Sequence, residues 1–187
     1  MAIKNKRDPS EIIDWTCTAV EAYMKTLKHH LFNSRFYIVK VLDLISKNSK
    51  YIQDNQLQII FERSFQNSQV WVWLFWIPQL LDFILRSNSE YEVAKIVLSE
   101  IAKFYPQHIF LALRMFYWYP GINNKQKIRQ EGKAKVTSLG KHLFTLINEQ
   151  SNTIKDTIDT VIKELEKGFS ISIEEELYGL IEKGYSL

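Results

Sequence analysis

Residues 73–87 read WLFWIPQLLDFILRS, and the reading of this stretch decides the fold. Trp71, Trp73, Phe75 and Trp76 crowd together, and Pro78 follows inside what would otherwise be one apolar run. Its centre, IPQLLDFILR at 77–86, recurs as YPQHIFLALR at 105–114. Both phrases place Pro-Gln after a bulky apolar residue and an arginine seven positions after the glutamine. The pairs are Pro78, Gln79 and Arg86, then Pro106, Gln107 and Arg114. Proline is tolerated at the start of a helix, where its missing N–H is not needed. A helical unit that returns after about 30 residues is the mark of an α-solenoid, with a plain helical bundle as the alternative for two copies. The tryptophans then read as packing in the seam between repeats, Trp73 and Trp76 above all, because aromatic side chains bury large areas. An exposed partner-binding patch is the competing reading. Between Ser68 and Pro78 helical and irregular backbone both remain open.

The surrounding sequence is helical in period. Asp8, Pro9 and Glu11 look like an N-cap, a first helical residue and a first-turn acid. Ile12, Trp15, Ala19, Ala22, Tyr23 and Leu27 follow as an apolar stripe. Phe36, Val39, Leu42, Leu44 and Ile45 mark a second helix, and Leu57, Ile60, Phe61 and Phe65 a third. Ser89 and Glu92 have capping-box spacing ahead of Val93, Ile96, Val97 and Ile101. Ile109, Leu113 and Phe116 follow Pro106. Helices are expected over 137–150, 153–168 and 172–184, the last opened by Ser172 and Glu175. No strand alternation is found. The expected fold is all-α, a solenoid of antiparallel helix pairs of the tetratricopeptide or HEAT kind, with about eight or nine helices forming one segment over 1–187.

Composition agrees. The chain has 187 residues, 46% of them apolar, so a core is easily filled. Six glycines and four prolines are too few for a turn-rich sandwich or a disordered chain. The longest apolar run, Val70 to Ile77, is far below the roughly 20 residues of a membrane span. One cysteine, Cys17, rules out a disulfide within the chain and suits a reducing compartment.

Catalytic chemistry has no foothold. There is no glycine-rich phosphate loop and no nucleophile elbow. His29 and His30 are adjacent and so point about 100° apart on a helix. With one cysteine, no zinc set forms with His108 or His142, and no cofactor is expected. Cys17 reads as a buried thiol. Glu174, Glu175 and Glu176 read as first-turn acids that suit a helix dipole. Arg86 and Arg114 suggest a shared role, bonding to helix-end carbonyls or to a carboxylate of the next repeat.

Charge is segregated. Net charge is +3, too small to imply nucleic acid by itself. The segment 119–136 reads as a basic polar loop. Lys125, Lys127, Arg129, Lys133 and Lys135 make it the candidate contact for an acidic partner or nucleic acid, although no aromatic residue interleaves them. The tail from Asn152 carries eight acids against four bases.

The phrases SRFYIVKVLDLIS (34–46), VWLFWIPQLLDFILRS (72–87) and IAKFYPQHIFLALRMFYW (101–118) together resemble the FAT domain of the phosphatidylinositol-3-kinase-related family. The wording is most similar to the family's pseudokinase branch, the scaffold of SAGA-type histone acetyltransferase complexes. The resemblance covers roughly Ala22 to Trp118, with a looser fit at SISIEEELYGLI. It implies a helical-repeat region without catalytic residues that cradles a kinase-like domain and packs against other subunits. It also implies a nuclear, chromatin-associated role and protein partners, among them the remainder of a FAT and kinase-like scaffold. The alternatives are a FAT segment associated with an active kinase of the same family, in nucleus or cytoplasm, and a helical nucleic-acid binder. Family members are far longer, with a HEAT array before this region and a kinase-like domain after it. The chain is therefore expected to be a fragment, a split product or one piece of an assembly, because bare solenoid ends require caps or partners.

Overall fold

The computed structural model describes residues 8–29, 33–51, 56–66, 68–118 and 130–150, with a few helical positions between 153 and 164. Its α-helices are α1 (Pro9–His29), α2 (Ser34–Asn48), α3 (Gln56–Phe65), α4 (Ile77–Phe83), α5 (Asn88–Phe104), α6 (Pro106–Trp118) and α7 (Gln130–Gln150). A 3-10 segment, Val70–Trp76, runs directly into α4. There is no strand among the described residues. The fold is all-α, consistent with the helical solenoid expected.

Contacts run between near neighbours in sequence. α1 packs chiefly on α2 and α3, and α7 on α5 and α6. α5 lies at the centre and touches α3, the 3-10 segment, α4, α6 and α7. Its sequence explains that place. Val93, Ala94, Val97, Leu98, Ile101 and Ala102 are all buried, more than one stripe of the helix. The alanines let neighbouring backbones come close.

Local signals set the ends. The Ser10 amide donates to Asp8 Oδ1 at 3.2 Å, the N-cap role expected of Asp8. α5 is opened by Ser87 and Glu90, earlier in the chain than the Ser89 and Glu92 expected. The Glu90 amide donates to Ser87 Oγ at 3.4 Å and the Ser87 amide to Glu90 Oε2 at 3.1 Å. Two serines carry the same spacing, and the earlier pair wins because Glu90 is then buried and satisfied. Tyr105 ends α5 with its amide on the Ile101 carbonyl at 2.7 Å. Pro106 then begins α6 without a donor to spare.

Two stripes and one helix start differ from expectation. In α1 the buried ridge is Cys17, Val20, Met24 and Leu27, while Trp15 is 69% exposed. In α2 it is Ile38, Val41, Leu42 and Ile45, while Phe36 and Val39 face outward. In both helices the ridge is made of aliphatic and sulfur-bearing residues, and the largest rings, Trp15 and Phe36, are turned away. α7 buries Val136, Leu139, Leu143 and Ile147 at spacings of three and four. That helix begins at Gln130, so the C-terminal part of the expected loop 119–136 is helical instead. Gln130 to Lys135 are mostly good helix formers and lead into the ridge that Val136 begins.

By its internal contacts the chain separates into two units, Met1–Gln150 and Ser151–Leu187, rather than the one segment expected. The division falls within the polar run Asn148–Asn152. The helix expected at 172–184 lies outside the described residues.

Candidate functional site

The 3-10 segment positions the aromatic residues. An α-helix running through here would need the Pro78 N–H to reach the Leu74 carbonyl, and proline has none. The Ile77 amide takes that carbonyl instead, in the tighter register. With three residues per turn, Val70, Trp73 and Trp76 fall on one side. Trp73 is fully buried, edge-on to Phe61 at 5.9 Å and Phe65 at 5.8 Å. Trp76 is half-buried, and Trp71 and Phe75 are exposed. The indole N–H groups of Trp73 and Trp76 are enclosed with no acceptor among the described residues.

An open groove of about 230 Å³ lies between α2 and α4. Val39, Leu42, Asp43 and Ser46 form one wall, and Trp76, Gln79, Asp82, Phe83 and Arg86 the other. At its upper edge the Arg35 guanidinium lies 4.0 Å above the centre of the exposed Phe75 ring. Further along α2, the Lys40 ammonium lies 5.4 Å from the centre of the exposed Phe36 ring. Cation–π contacts of this kind hold exposed rings in place. The result is an aromatic surface with a groove beside it.

Arg86 closes the lower end. It donates to Asp82, to Glu90 Oε1 at 3.5 Å and to Ser46 Oγ at 3.1 Å, and it lies over the Phe83 ring. Burial pushes against its charge, but the Asp82 and Glu90 carboxylates outweigh this and hold the guanidinium above its ordinary value. Arg86 therefore ties together α2, α4 and the start of α5.

Of the residues singled out in sequence, Trp76, Gln79 and Arg86 line the groove, and Trp73 lies in the core behind it. Pro78 and Gln79 are exposed, as is Gln107, whereas Pro106 is buried. The two arginines are not equivalent. Arg86 follows the end of the short α4, while Arg114 lies well inside α6, its side chain outside the described residues. The two phrases share a helix start, not a helix length. Lys125, Lys127 and Arg129 also lie outside the described residues, as does the side chain of Lys133. The Lys135 ammonium donates to Asn88 Oδ1 and lies 5.6 Å from the Tyr91 ring centre, so it is engaged with α5.

Sequence reasoning misses Arg35, Phe36 and Phe75 as site residues. It assigns Phe36 and Val39 to the core, although Phe36, Val39 and Asp43 share a face with the charged Lys40 beside them. No group of three metal-ligating side chains occurs among the described residues. Cys17 is buried; burial, and secondarily Asp14, push its thiol up, which suits an inert thiol. No helix among the described residues is long and apolar enough to cross a membrane.

The chain is 35% identical over 101 residues, 52% of its length, to the SAGA complex/NuA4 acetyltransferase complex subunit Tra1 of Schizosaccharomyces pombe. Its homologues are Tra1 and the transformation/transcription domain-associated proteins. The transformation/transcription domain-associated protein of Mus musculus is 26% identical over 125 residues, 66% of this chain. The Homo sapiens protein of that name is 26% identical over 115 residues, 61% of this chain. The chain spans only 3% of the length of Tra1 and of the human protein, and 5% of the mouse one. No family model matches the chain. No solved structure matches it.

Proposed function

We propose that this chain is a non-catalytic helical scaffold segment of a histone acetyltransferase coactivator complex, acting in the nucleus. It corresponds to a FAT-type helical region and meets neighbouring protein through the aromatic surface of α2, the 3-10 segment and α4. The observation that carries this reading is the 35% identity to Tra1, a subunit named for two such complexes. The geometry supports it. Phe36, Val39, Trp71 and Phe75 are exposed on α2 and the 3-10 segment, and exposed apolar patches mark contact surfaces.

The test is purification of the tagged chain from its own cells, with mass spectrometry of the proteins that accompany it. Acetyltransferase and bromodomain subunits are expected. An active kinase of the same family in their place would move the chain to that kinase's scaffold. A soluble monomer recovered alone would end the scaffold reading. Salt-sensitive recovery of nucleic acid, lost when the basic residues from Lys125 to Lys135 are neutralised, would replace it with a nucleic-acid role.

A further inference from the structure

A second cleft lies between α3 and α5 and encloses about 350 Å³. Glu62, Phe65 and Gln66 come from the last turn of α3 and its end, and Ser68 and Val70 from the link into the 3-10 segment. Ile96, Glu100 and Phe104 come from one face of α5, spaced four apart. The volume is at the lower end of small-ligand clefts, about 300 Å³ and upward.

Its chemistry is lopsided. Among the described residues two carboxylates line the cleft and no lysine or arginine does. Glu100 is shared with Lys103 at 2.6 Å, an exposed pair one turn along the same helix. Glu62 has no ion-pair partner among the described residues, since its neighbour Arg63 turns to Glu21 instead. The Ser68 hydroxyl is buried and has no hydrogen-bond partner among the described residues. Beside these polar groups stand the Phe65 ring and the Phe104 ring, the latter 63% exposed at the end of α5. A bare metal ion does not suit this set, because two carboxylates fall short of a coordination sphere. An apolar ligand does not suit it either, because it would strip water from Glu62 and Glu100 without replacing it.

We propose that the cleft between α3 and α5 receives an arginine side chain of a partner protein. A guanidinium is planar and carries five donors, enough for both carboxylates. Its flat face stacks on an aromatic ring while its edge bonds, which a lysine ammonium cannot do. Phe104 supplies the ring at the mouth, and Glu62 supplies a carboxylate with no intramolecular competitor among the described residues. The site stands on its own geometry and holds whichever complex the chain enters.

The experiment uses the full chain, labelled for amide NMR and titrated with N-acetyl-arginine methylamide. The citrulline and lysine counterparts are titrated in parallel. Saturable shifts at Glu62, Ser68, Glu100 and Phe104 are expected with the arginine probe, with affinity at least tenfold weaker for citrulline, which keeps the shape and loses the charge. Lysine should also bind more weakly. The double variant Glu62→Gln, Glu100→Gln should lose at least tenfold in affinity and keep its melting temperature, because Glu62 is exposed and Glu100 only partly covered. Phe104→Ala should narrow the gap between arginine and lysine. Equal binding of arginine and citrulline, undiminished binding by the double variant, or shifts confined to other residues would overturn the site. Lysine binding as tightly as arginine would overturn its assignment to a guanidinium.

Discussion

Trp73 and Phe75 are two residues apart in one seven-residue segment, yet one is fully buried and the other 68% exposed. Trp73 closes a cluster with Phe61 and Phe65, whose rings stack at 5.9 Å. Phe75 stands in solvent under the Arg35 guanidinium. Hydrophobicity alone does not separate them. The winding contributes, because each residue of a 3-10 helix advances about 120°, so a two-residue step turns Phe75 away from the side of Trp73. Pro78 denies the Leu74 carbonyl its α-helical donor, and the Ile77 amide takes that carbonyl in the 3-10 register. The aromatic run is divided into an interior half and a surface half.

If that division is right, the largest response belongs to the interior half. Trp73→Ala should cost about 3 to 5 kcal/mol, as large-to-small changes in a packed core do. Thermal unfolding should show it as a drop on the order of 10 °C for a unit of this size. A drop of a degree or two would mean that the Phe61, Phe65 and Trp73 cluster is not a closed core. Trp76→Ala sharpens the comparison, since Trp76 lies between the two environments. Its expected cost is roughly 2 kcal/mol, in proportion to its partial burial. A loss equal to that of Trp73→Ala would place Trp76 in the core, and no loss would place it with Phe75.

The all-α fold is legible in the sequence because the spacing of apolar residues and the capping signals at Asp8 and Pro106 are local facts. Which of several apolar residues a helix turns inward is not legible. Size points to Trp15 and Phe36 as core residues, but burial belongs to the smaller neighbours Cys17, Val20, Ile38 and Val41. That choice depends on the partner helix, which no local window contains. The repeated Pro-Gln phrase misleads in a similar way. It marks a helix start in both copies, but the stopping point is set by the residues downstream of the phrase. After Arg86 comes the Ser87 and Glu90 capping box, which ends one helix and begins the next, while α6 continues past Arg114 to Trp118. Of the groove, Trp76, Gln79 and Arg86 are legible through the repeat. Its other wall on α2 is not, because nothing in the sequence brings Val39 and Ser46 to α4.

The capping box offers an intermediate effect. Ser87→Ala removes the side chain that accepts from the Glu90 amide and donates to Glu90 Oε2 at 2.8 Å. The loss should be about 1 kcal/mol, the usual cost of an N-cap. Ser89→Ala at the neighbouring serine should cost less, since Ser89 reaches only the Ser87 hydroxyl. A larger loss at Ser89 than at Ser87 would move the start of α5 and restore the Ser89 and Glu92 pair.

Phe75→Ala should have the smallest effect on stability and the clearest on binding. Its ring is exposed and its one described contact is the Arg35 guanidinium, a cation–π pair worth about 0.5 to 1 kcal/mol at the surface. Unfolding should therefore shift by no more than about that amount, and by less where Arg35 finds water instead. A partner that covers the ring would lose far more, because a buried aromatic anchor at an interface costs about 2 kcal/mol or more when truncated. The comparison is made by recovering the same partners with the wild-type chain and with Phe75→Ala at equal expression and equal melting temperature. Partners lost with folding intact would assign the outer half of the aromatic run to recognition. Partners retained would turn the contact to another face. A Phe75→Ala chain that unfolds like Trp73→Ala would erase the distinction between the two rings, because both would then belong to the core.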